Sequence, residues 1–321
     1  MIRKKILKNI EDSYVTEEEL LEKLDITHEK LKDHILNLKD VGYDILYDLD
    51  KGYKLKDVPD ILDAYEVARG LKTEMMGNSI HFYDTLESTN DTAKKFVEDG
   101  AKEGSVIIAG SQTAGRTRKY DDWVSPEGGI YMTLILRPKV ALQEASKLTI
   151  VTGVAIAKTL HDKFGINAGI KWPNDILIGD KKISGILTEA VTNYETNELE
   201  AVLVGIGIDA NIKEEDIPDD LKEVATTIKK EIDKRINRAD ILRTFLGVFE
   251  ELYKEFNKGN FKYIIAEWRR LSSTTGNRVK VYKNGKVTYG DAVGITNKGL
   301  LIVEDDDGKL IKISSGVVEI I

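Results

Sequence analysis

The chain reads as an α+β multidomain protein: a winged helix-turn-helix over residues 1–60, a connector helix over 61–77, a mixed α/β domain over 78–270 and a small β-barrel over 271–321. Three observations predict that order. Apolar residues recur at helical spacing up to Leu38 and then give way to a short hairpin pattern. From His81 strand-type and helix-type patterns alternate, as in a mixed layer domain. Beyond Asn277, short strands are broken by the turn signals Asn284-Gly285, Asn297-Lys298-Gly299 and Asp307-Gly308, spacing that suits a small barrel. A length of 321 residues, 41% hydrophobic, is ample for a catalytic core with small accessory domains.

Ile2, Ile6, Leu7 and Ile10 make the first helical stripe. Thr16 with Glu19 is a capping box for a second helix through Leu20, Leu21 and Leu24, and Thr27 caps a third whose apolar face is Leu31, Ile35 and Leu38. Two short strands, 45–47 and 53–55, flank the turn at Asp48 to Gly52 and complete the winged order. The exposed side of the third helix carries His28, Lys30 and Lys32, the candidate DNA contacts, beside Glu29 and Asp33. Up to Lys56 the acidic residues slightly outnumber the basic ones, so operator binding and a plain three-helix scaffold both remain open.

Further strands are expected over 105–110, 130–136, 170–172, 176–178, 183–188 and 201–208, with helices over 144–164 and 239–256.

Composition narrows the chemistry. The absence of cysteine excludes disulfides, thiolate nucleophiles and Cys-ligated zinc, so acyl transfer cannot pass through an enzyme thioester. The four histidines, His28, His34, His81 and His161, stand singly without metal-site spacing. No apolar run has signal-peptide or membrane length, which predicts a cytoplasmic protein with no membrane partner. A formal charge of -8 argues against tight nonspecific nucleic-acid binding.

Four stretches carry chemistry. The loop from Gly110 to Pro126 holds Gln112, Gly115, Arg116, Arg118, Lys119 and Trp123. Guanidinium forks and an aromatic face suit a loop closing over a phosphate ester and a flat heterocycle, although a solvated basic loop has the same composition. Lys171-Trp172-Pro173-Asn174-Asp175 ends a strand and Lys182-Ile183-Ser184-Gly185 opens the next, so Lys171, Asp175 and Lys182 are expected to converge. Each pattern taken singly also reads as strand-stop, Asx turn and hairpin lysine. Upstream, Ser88-Thr89-Asn90-Asp91 precedes a helix, either as its cap or as hydroxyls and an amide ringing a small polar head group.

In this order and spacing the stretches resemble the family of bifunctional biotin–protein ligases and biotin-operon repressors, and the likeness extends over essentially the whole chain, through Asn237-Arg238, Glu267-Trp268-Arg269 and Ser314-Ser315-Gly316. The hairpin residues Gly52 to Leu55 join that resemblance, which implies that the central domain is a biotin-ligase catalytic domain and the barrel SH3-like. It further implies a biotin site of Ser88, Thr89, Asn90, Gln112, Gly115, Arg116, Arg118 and Lys182. A nucleotide site would comprise Arg118, Trp123, Lys171, Asn174, Asp175 and Asn211. Catalysis would fall to Lys182, Arg116, Arg118 and Asp175, the last also beside the magnesium of ATP. Biotin and ATP would give biotinyl-5'-AMP, and a lysine of a biotin carboxyl carrier protein would take the biotin. Operator DNA and a homodimer follow from the resemblance alone.

The chain departs from the family pattern where Thr117 and Tyr120 replace loop glycines, Asp121 replaces an arginine, and Asp209 replaces an asparagine. Gly205-Ile206-Gly207-Ile208-Asp209-Ala210 also fits a dinucleotide fingerprint, but Pro218 soon interrupts any helix and no first βαβ unit precedes it. Two rivals stand beside the ligase. A lipoate or octanoate ligase would need no ureido partners; a biotin-sensing DNA-binding regulator with weak or no ligase activity would retain biotin without forming adenylate.

Overall fold

A computed structural model of the chain describes residues 2–118, 122–193, 195–283 and 285–321. The chain divides into two compact units, one ending at Glu66 and one running from Val67 to Ile321.

In the first unit, α1 (Ile2–Ile10), α2 (Glu17–Leu24) and α3 (His28–Asp40) bury Ile6, Leu7, Ile10, Leu20, Leu31, Ile35 and Leu38 in one core. Both predicted caps form: Thr16 Oγ1 accepts from the Glu19 N–H at 3.3 Å and Thr27 Oγ1 from the Lys30 N–H at 3.4 Å. The antiparallel pair β1 (Asp44–Asp48) and β2 (Gly52–Asp57) follows. Asp48 Oδ1 accepts from the N–H groups of Asp50 and Lys51, and Gly52 takes φ +83° against the Val15 carbonyl, where a Cβ would sit 2.1 Å from the oxygen. Only glycine closes that turn.

The expected connector helix is mostly absent. The chain is helical only over α4 (Ala64–Ala68), and Gly70 and Gly77 then adopt positive φ, which interrupts helical hydrogen bonding across 61–77. What holds the segment is tertiary: the carboxylate of Glu250 accepts from the N–H groups of Glu74, Met75 and Met76 at 2.8–2.9 Å.

The second unit is built on a seven-stranded sheet ordered β3-β4-β5-β9-β8-β7-β6. Its elements are β3 (Ser79–Leu86), α5 (Thr89–Glu98), β4 (Ser105–Gln112), β5 (Ile130–Leu136), α6 (Lys147–Phe164), β6 (Ala168–Lys171), β7 (Asp175–Ile178), β8 (Lys181–Thr192) and β9 (Leu199–Ile208). Only β3 and β4 pair in parallel, joined across by α5; every other neighbour is antiparallel. All of β5 is buried, as a central strand covered on both faces must be. Three helices follow the sheet: α7 (Ile228–Ile232), α8 (Arg238–Asn257) and α9 (Phe261–Leu271). Of these, α8 and α9 pack on α6.

The chain ends in β10 (Arg278–Lys283), β11 (Lys286–Ile295), β12 (Leu301–Glu304), β13 (Leu310–Ile313) and β14 (Val317–Ile320), an antiparallel sheet ordered β13-β12-β11-β10-β14. Asn284 of the expected first turn lies outside the described residues. Trp172 docks this sheet beside the β6–β7 turn, its backbone N–H donating to Thr274 Oγ1 at 2.8 Å and its indole N–H to the Gly299 carbonyl at 3.0 Å. Among the described residues no helix is long and apolar enough to cross a membrane.

Candidate active site

Two adjoining cavities open on one side of the sheet. The first, of about 460 Å³, is lined by Ser88, Thr89, Asn90, Gln112, Arg116 and Asn174 together with glycines of β8 and β9. The second is lined by Lys171, Asp122, Asp175, Asp180, Asp209 and Asp216 together with the apolar side chains of Ile212, Ile217 and Leu221. Thr117, Trp123 and Lys182 border both.

The wall of the first cavity is a chain of hydrogen bonds that begins at the start of α5. Ser88 caps that helix, its oxygen accepting from the Asp91 N–H at 3.5 Å, so the capping and the cavity-lining readings hold together. Gln112 Oε1 accepts from the N–H and hydroxyl of Thr89 at 2.8 and 3.1 Å, while its Nε2 donates to Ser125 Oγ at 3.0 Å. Thr133 Oγ1 lies 2.6 Å from Asn90 Oδ1 and 2.9 Å from Thr89 Oγ1. Asn90 Nδ2 donates to Glu189 at 2.6 Å. Ser88, Thr89, Asn90 and Thr133 are buried, so each unmade bond here would cost about 1–3 kcal/mol. The row is therefore held in one arrangement before any ligand arrives.

The glycines of the sheet make room for this wall. A Cβ on Gly205 would lie 2.3 Å from Asn90 Oδ1, and one on Gly207 or Gly185 would meet the Trp123 indole at 2.4 or 2.8 Å. Gly115 is equally confined, 2.5 Å from the Trp123 carbonyl. Gly205 and Gly207 thus sit inside β9 as clearance for side chains, which removes the dinucleotide reading of that stretch.

Lys171, Asp175 and Lys182 converge as expected. Lys171 pairs in register with Asp175 across β6 and β7, and Lys182 Nζ lies 2.7 Å from Asp175 Oδ1. The same ammonium stands 5.0 Å from the Trp123 ring centroid. Burial pushes the Asp209 carboxyl up to about 8, with the positive charge of Lys182 pulling the other way.

Other expected residues fall elsewhere. Asn211 lines neither cavity: its amide spans Ile236, Nδ2 donating to that carbonyl at 2.7 Å and Oδ1 accepting from its N–H at 3.0 Å, so its polar atoms bind the backbone ahead of α8. Asn174 faces the first cavity and not the second, its Nδ2 donating to the Ile186 carbonyl at 3.1 Å. Arg118 lines neither cavity; partial burial of its guanidinium lowers its pKa, and the charge of Asp175 opposes that. Arg116 reaches Asp91 Oδ1 at 2.6 Å and Glu189 Oε2 at 3.2 Å. Tyr120 and Asp121 lie outside the described residues. In the N-terminal unit, His28, Lys30 and Lys32 are exposed on α3, with His28 Nε2 2.6 Å from Glu17.

Comparison with known proteins agrees with this geometry. Residues 82–209 match the Biotin/lipoate A/B protein ligase family, and residues 274–320 match the Biotin protein ligase C terminal domain. The chain is 38% identical over 288 residues to the bifunctional ligase/repressor BirA of Bacillus subtilis, covering 89% of this chain and 88% of that protein. The chain belongs to the biotin–protein ligase family. The BirA of Escherichia coli is 26% identical over 290 residues, 90% of this chain and 88% of its own length. Among solved structures, the biotin protein ligase of Aquifex aeolicus in complex with biotin and ATP superposes with a TM-score of 0.65 at 29% identity, covering 75% of this chain and 98% of that one.

Within this biotin–protein ligase, the residues that sequence reasoning missed are Ser125, Thr133 and Glu189 in the first wall and Ile212, Ile217 and Leu221 in the second. The first three sit in strands or loops with no local signature. A bulge in β8 pairs Lys182 with Leu177 and Ser184 with the adjacent Ile176, and the regular register from Ser184 onward puts Gly185, Leu187 and Glu189 in one row.

Proposed function

We propose that this chain activates biotin with ATP to biotinyl-5'-AMP and pyrophosphate, then transfers biotin to a lysine of a biotin carboxyl carrier protein. The observation that carries the reading is the pair of cavities meeting at Lys182 and Trp123. Biotin enters the first, with its ureido ring against the row Ser88, Thr89, Asn90 and Gln112, whose bonding favours a polar head group over a linear acyl chain. The nucleotide takes the second, between Trp123, Lys171 and Asp175 and the apolar wall.

In the first step a biotin carboxylate oxygen attacks the α-phosphorus in line, and the bond to pyrophosphate breaks. Two anions approach each other, so cations at the shared edge carry much of the rate. Lys182 stands at that edge and Arg118 lies within the field of Asp175. Magnesium, when bound, would neutralise phosphate charge, and Asp175 on the cavity wall would supply a hard oxygen ligand for it. In the second step the neutral amine of the carrier lysine attacks the mixed anhydride, AMP leaves, and Asp175 takes the amine proton. Confinement at attack distance replaces a bimolecular encounter in both steps. On this reading the reaction takes place in the cytoplasm, in keeping with a sequence that has no apolar run of signal-peptide or membrane length.

The N-terminal unit has the helix and hairpin order of a winged helix-turn-helix, with α3 as its recognition helix and His28, Lys30 and Lys32 as contacts to operator DNA. On this reading the chain is also a biotin-responsive repressor, acting as a homodimer, and its C-terminal sheet is an SH3-like barrel.

Transfer of labelled biotin to an isolated carrier domain with magnesium and ATP tests the enzyme. ATP-dependent labelling supports it. Retained biotin without adenylate would replace it with the sensor reading.

A further inference from the structure

On its β9 side, Lys182 lies beyond the regular ladder of the sheet. The pairing of β8 with β9 ends with Ser184 opposite Ile208, while a register shift on the other side brings Leu177 opposite Lys182. The place beside the lysine is taken by a segment further along the chain. Lys182 N–H donates to the Val224 carbonyl at 2.8 Å, Thr226 N–H donates to the Lys182 carbonyl at 2.9 Å, and Ala225 forms a parallel bridge with the lysine. The Asp209 N–H donates to the Ile183 carbonyl and the Ile228 N–H to the Asp209 carbonyl, both at 2.9 Å. The chain that leaves β9 thus returns, two residues after its bridge, to the place it left.

A bridge of a single residue holds its partner only if its own chain is fixed, because two hydrogen bonds have to offset the entropy of ordering the segment. Two neighbouring side chains do the fixing. Thr227 caps α7 in the ordinary way, its oxygen accepting from the Lys230 N–H at 3.1 Å. Thr226 makes a bond the helix does not require: its buried side chain donates to Glu231 Oε1 at 2.6 Å. A hydroxyl on a carboxylate is a charge-assisted bond. It ties the residue that bonds the Lys182 carbonyl to a helix whose first N–H groups, on Ile228 and Lys229, are anchored on the carbonyls of Asp209 and Ala210.

Placement matters at this lysine, whose ammonium lies 2.7 Å from Asp175 Oδ1 and 5.0 Å from the Trp123 ring centroid at the edge shared by both cavities. A group that acts at attack distance loses up to about 10²-fold in rate for a shift of about 1 Å. We infer that Thr226 and Glu231 are positioning residues for Lys182: they fix the 224–226 bridge, and the bridge fixes the backbone from which the lysine reaches the shared edge. Neither side chain lines either cavity. The task of Lys182 rests on the ligase reading, but the bridge is a property of the ligand-free chain.

The test uses the full chain and the biotin-dependent exchange of labelled pyrophosphate into ATP. Thr226→Val and Glu231→Ala should each lower kcat about 10-fold and leave KM for biotin and ATP within about 2-fold. Thr226→Ser, which keeps the hydroxyl, should restore the rate; failure to do so overturns the role of the bond. The two changes together should be no slower than either alone. In a Lys182→Ala background neither should lower the residual rate further, because the lysine through which they act is gone. A raised KM with kcat intact would make the segment a nucleotide wall only, and additive losses, or further loss beyond Lys182→Ala, would make the pair general supports of the fold; each result overturns the proposal. Amide exchange in the ligand-free protein decides independently of activity. Both variants should quicken exchange of the Lys182 N–H about 10-fold with the interiors of β5 and β9 unchanged, and an unaltered Lys182 N–H overturns the bridge. A wild-type chain that forms no adenylate would sink the ligase reading while leaving the exchange result to judge the bridge.

Discussion

The two cavities either side of Trp123 are built on opposite principles. The first is walled by buried side chains already bonded to one another, from Glu189 through Asn90, Thr133, Thr89 and Gln112 to Ser125, on strands and a helix start. The second is walled by charged side chains and by Ile212, Ile217, Leu221 and Val224, apolar residues of a largely charged segment, 212–225, that has only short turns of structure. A polar wall whose groups are already bonded to one another is pre-organised, so it meets a ligand in one fixed arrangement. An apolar wall on a loosely structured segment contributes area and exclusion of water instead. On the proposed reading, selectivity for biotin would reside in the first cavity and protection of the adenylate in the second.

The largest expected effect lies at their shared edge. Lys182→Ala should lower carrier biotinylation about 10²- to 10³-fold, by analogy with loss of one charge-stabilising donor, and should do so at saturating biotin and ATP; a change in KM alone would remove Lys182 from the chemical step. Next comes a variant confined to the first wall. Gly205→Ala forces a Cβ against Asn90 Oδ1 and should weaken biotin about 10- to 100-fold in equilibrium binding, with ATP affinity of the biotin-loaded protein little changed. Equal losses for both ligands would mean that the cavities are one mechanical unit.

Two smaller effects test the second cavity. Asn211→Ala should cost about 1–3 kcal/mol of stability in urea melts, since it orphans the Ile236 backbone, yet leave the KM for ATP alone; a raised KM would return Asn211 to the nucleotide site. Asp209 should impose a pH slope. Its folded carboxyl titrates near 8, above its unfolded value, so the unfolded chain releases the proton first. Stability is then full below the ordinary carboxylate range and declines as pH rises towards 8. Asp209→Asn should flatten that decline when urea midpoints at about pH 5 and pH 8 are compared; an unchanged slope would assign the titration to another group.

Much of the architecture was legible because its signals are periodic. Capping by Thr16 and Thr27, the hairpin at Gly52, and strands such as Ile130–Leu136 each depend on residues adjacent in sequence. The connector was misread because its helical composition is overridden by Gly70 and Gly77 and by the Glu250 carboxylate, which acts from α8. The helices α7 and α9 are not among the expected elements: α7 is short, and Glu267 to Arg269 of α9 enter the sequence reading only as part of the family resemblance.

The sequence by itself determined the family, the order of the parts and the convergence of Lys171, Asp175 and Lys182, because these follow from short motifs and from strands joined by tight turns. Tertiary structure alone decided that Gly205 and Gly207 are clearances, that Asn211 clamps backbone, and that Arg116 is held by Asp91 and Glu189. Those roles come from pairings between residues far apart in the chain, where the partner sets what a side chain does, and residue type alone does not specify the partner.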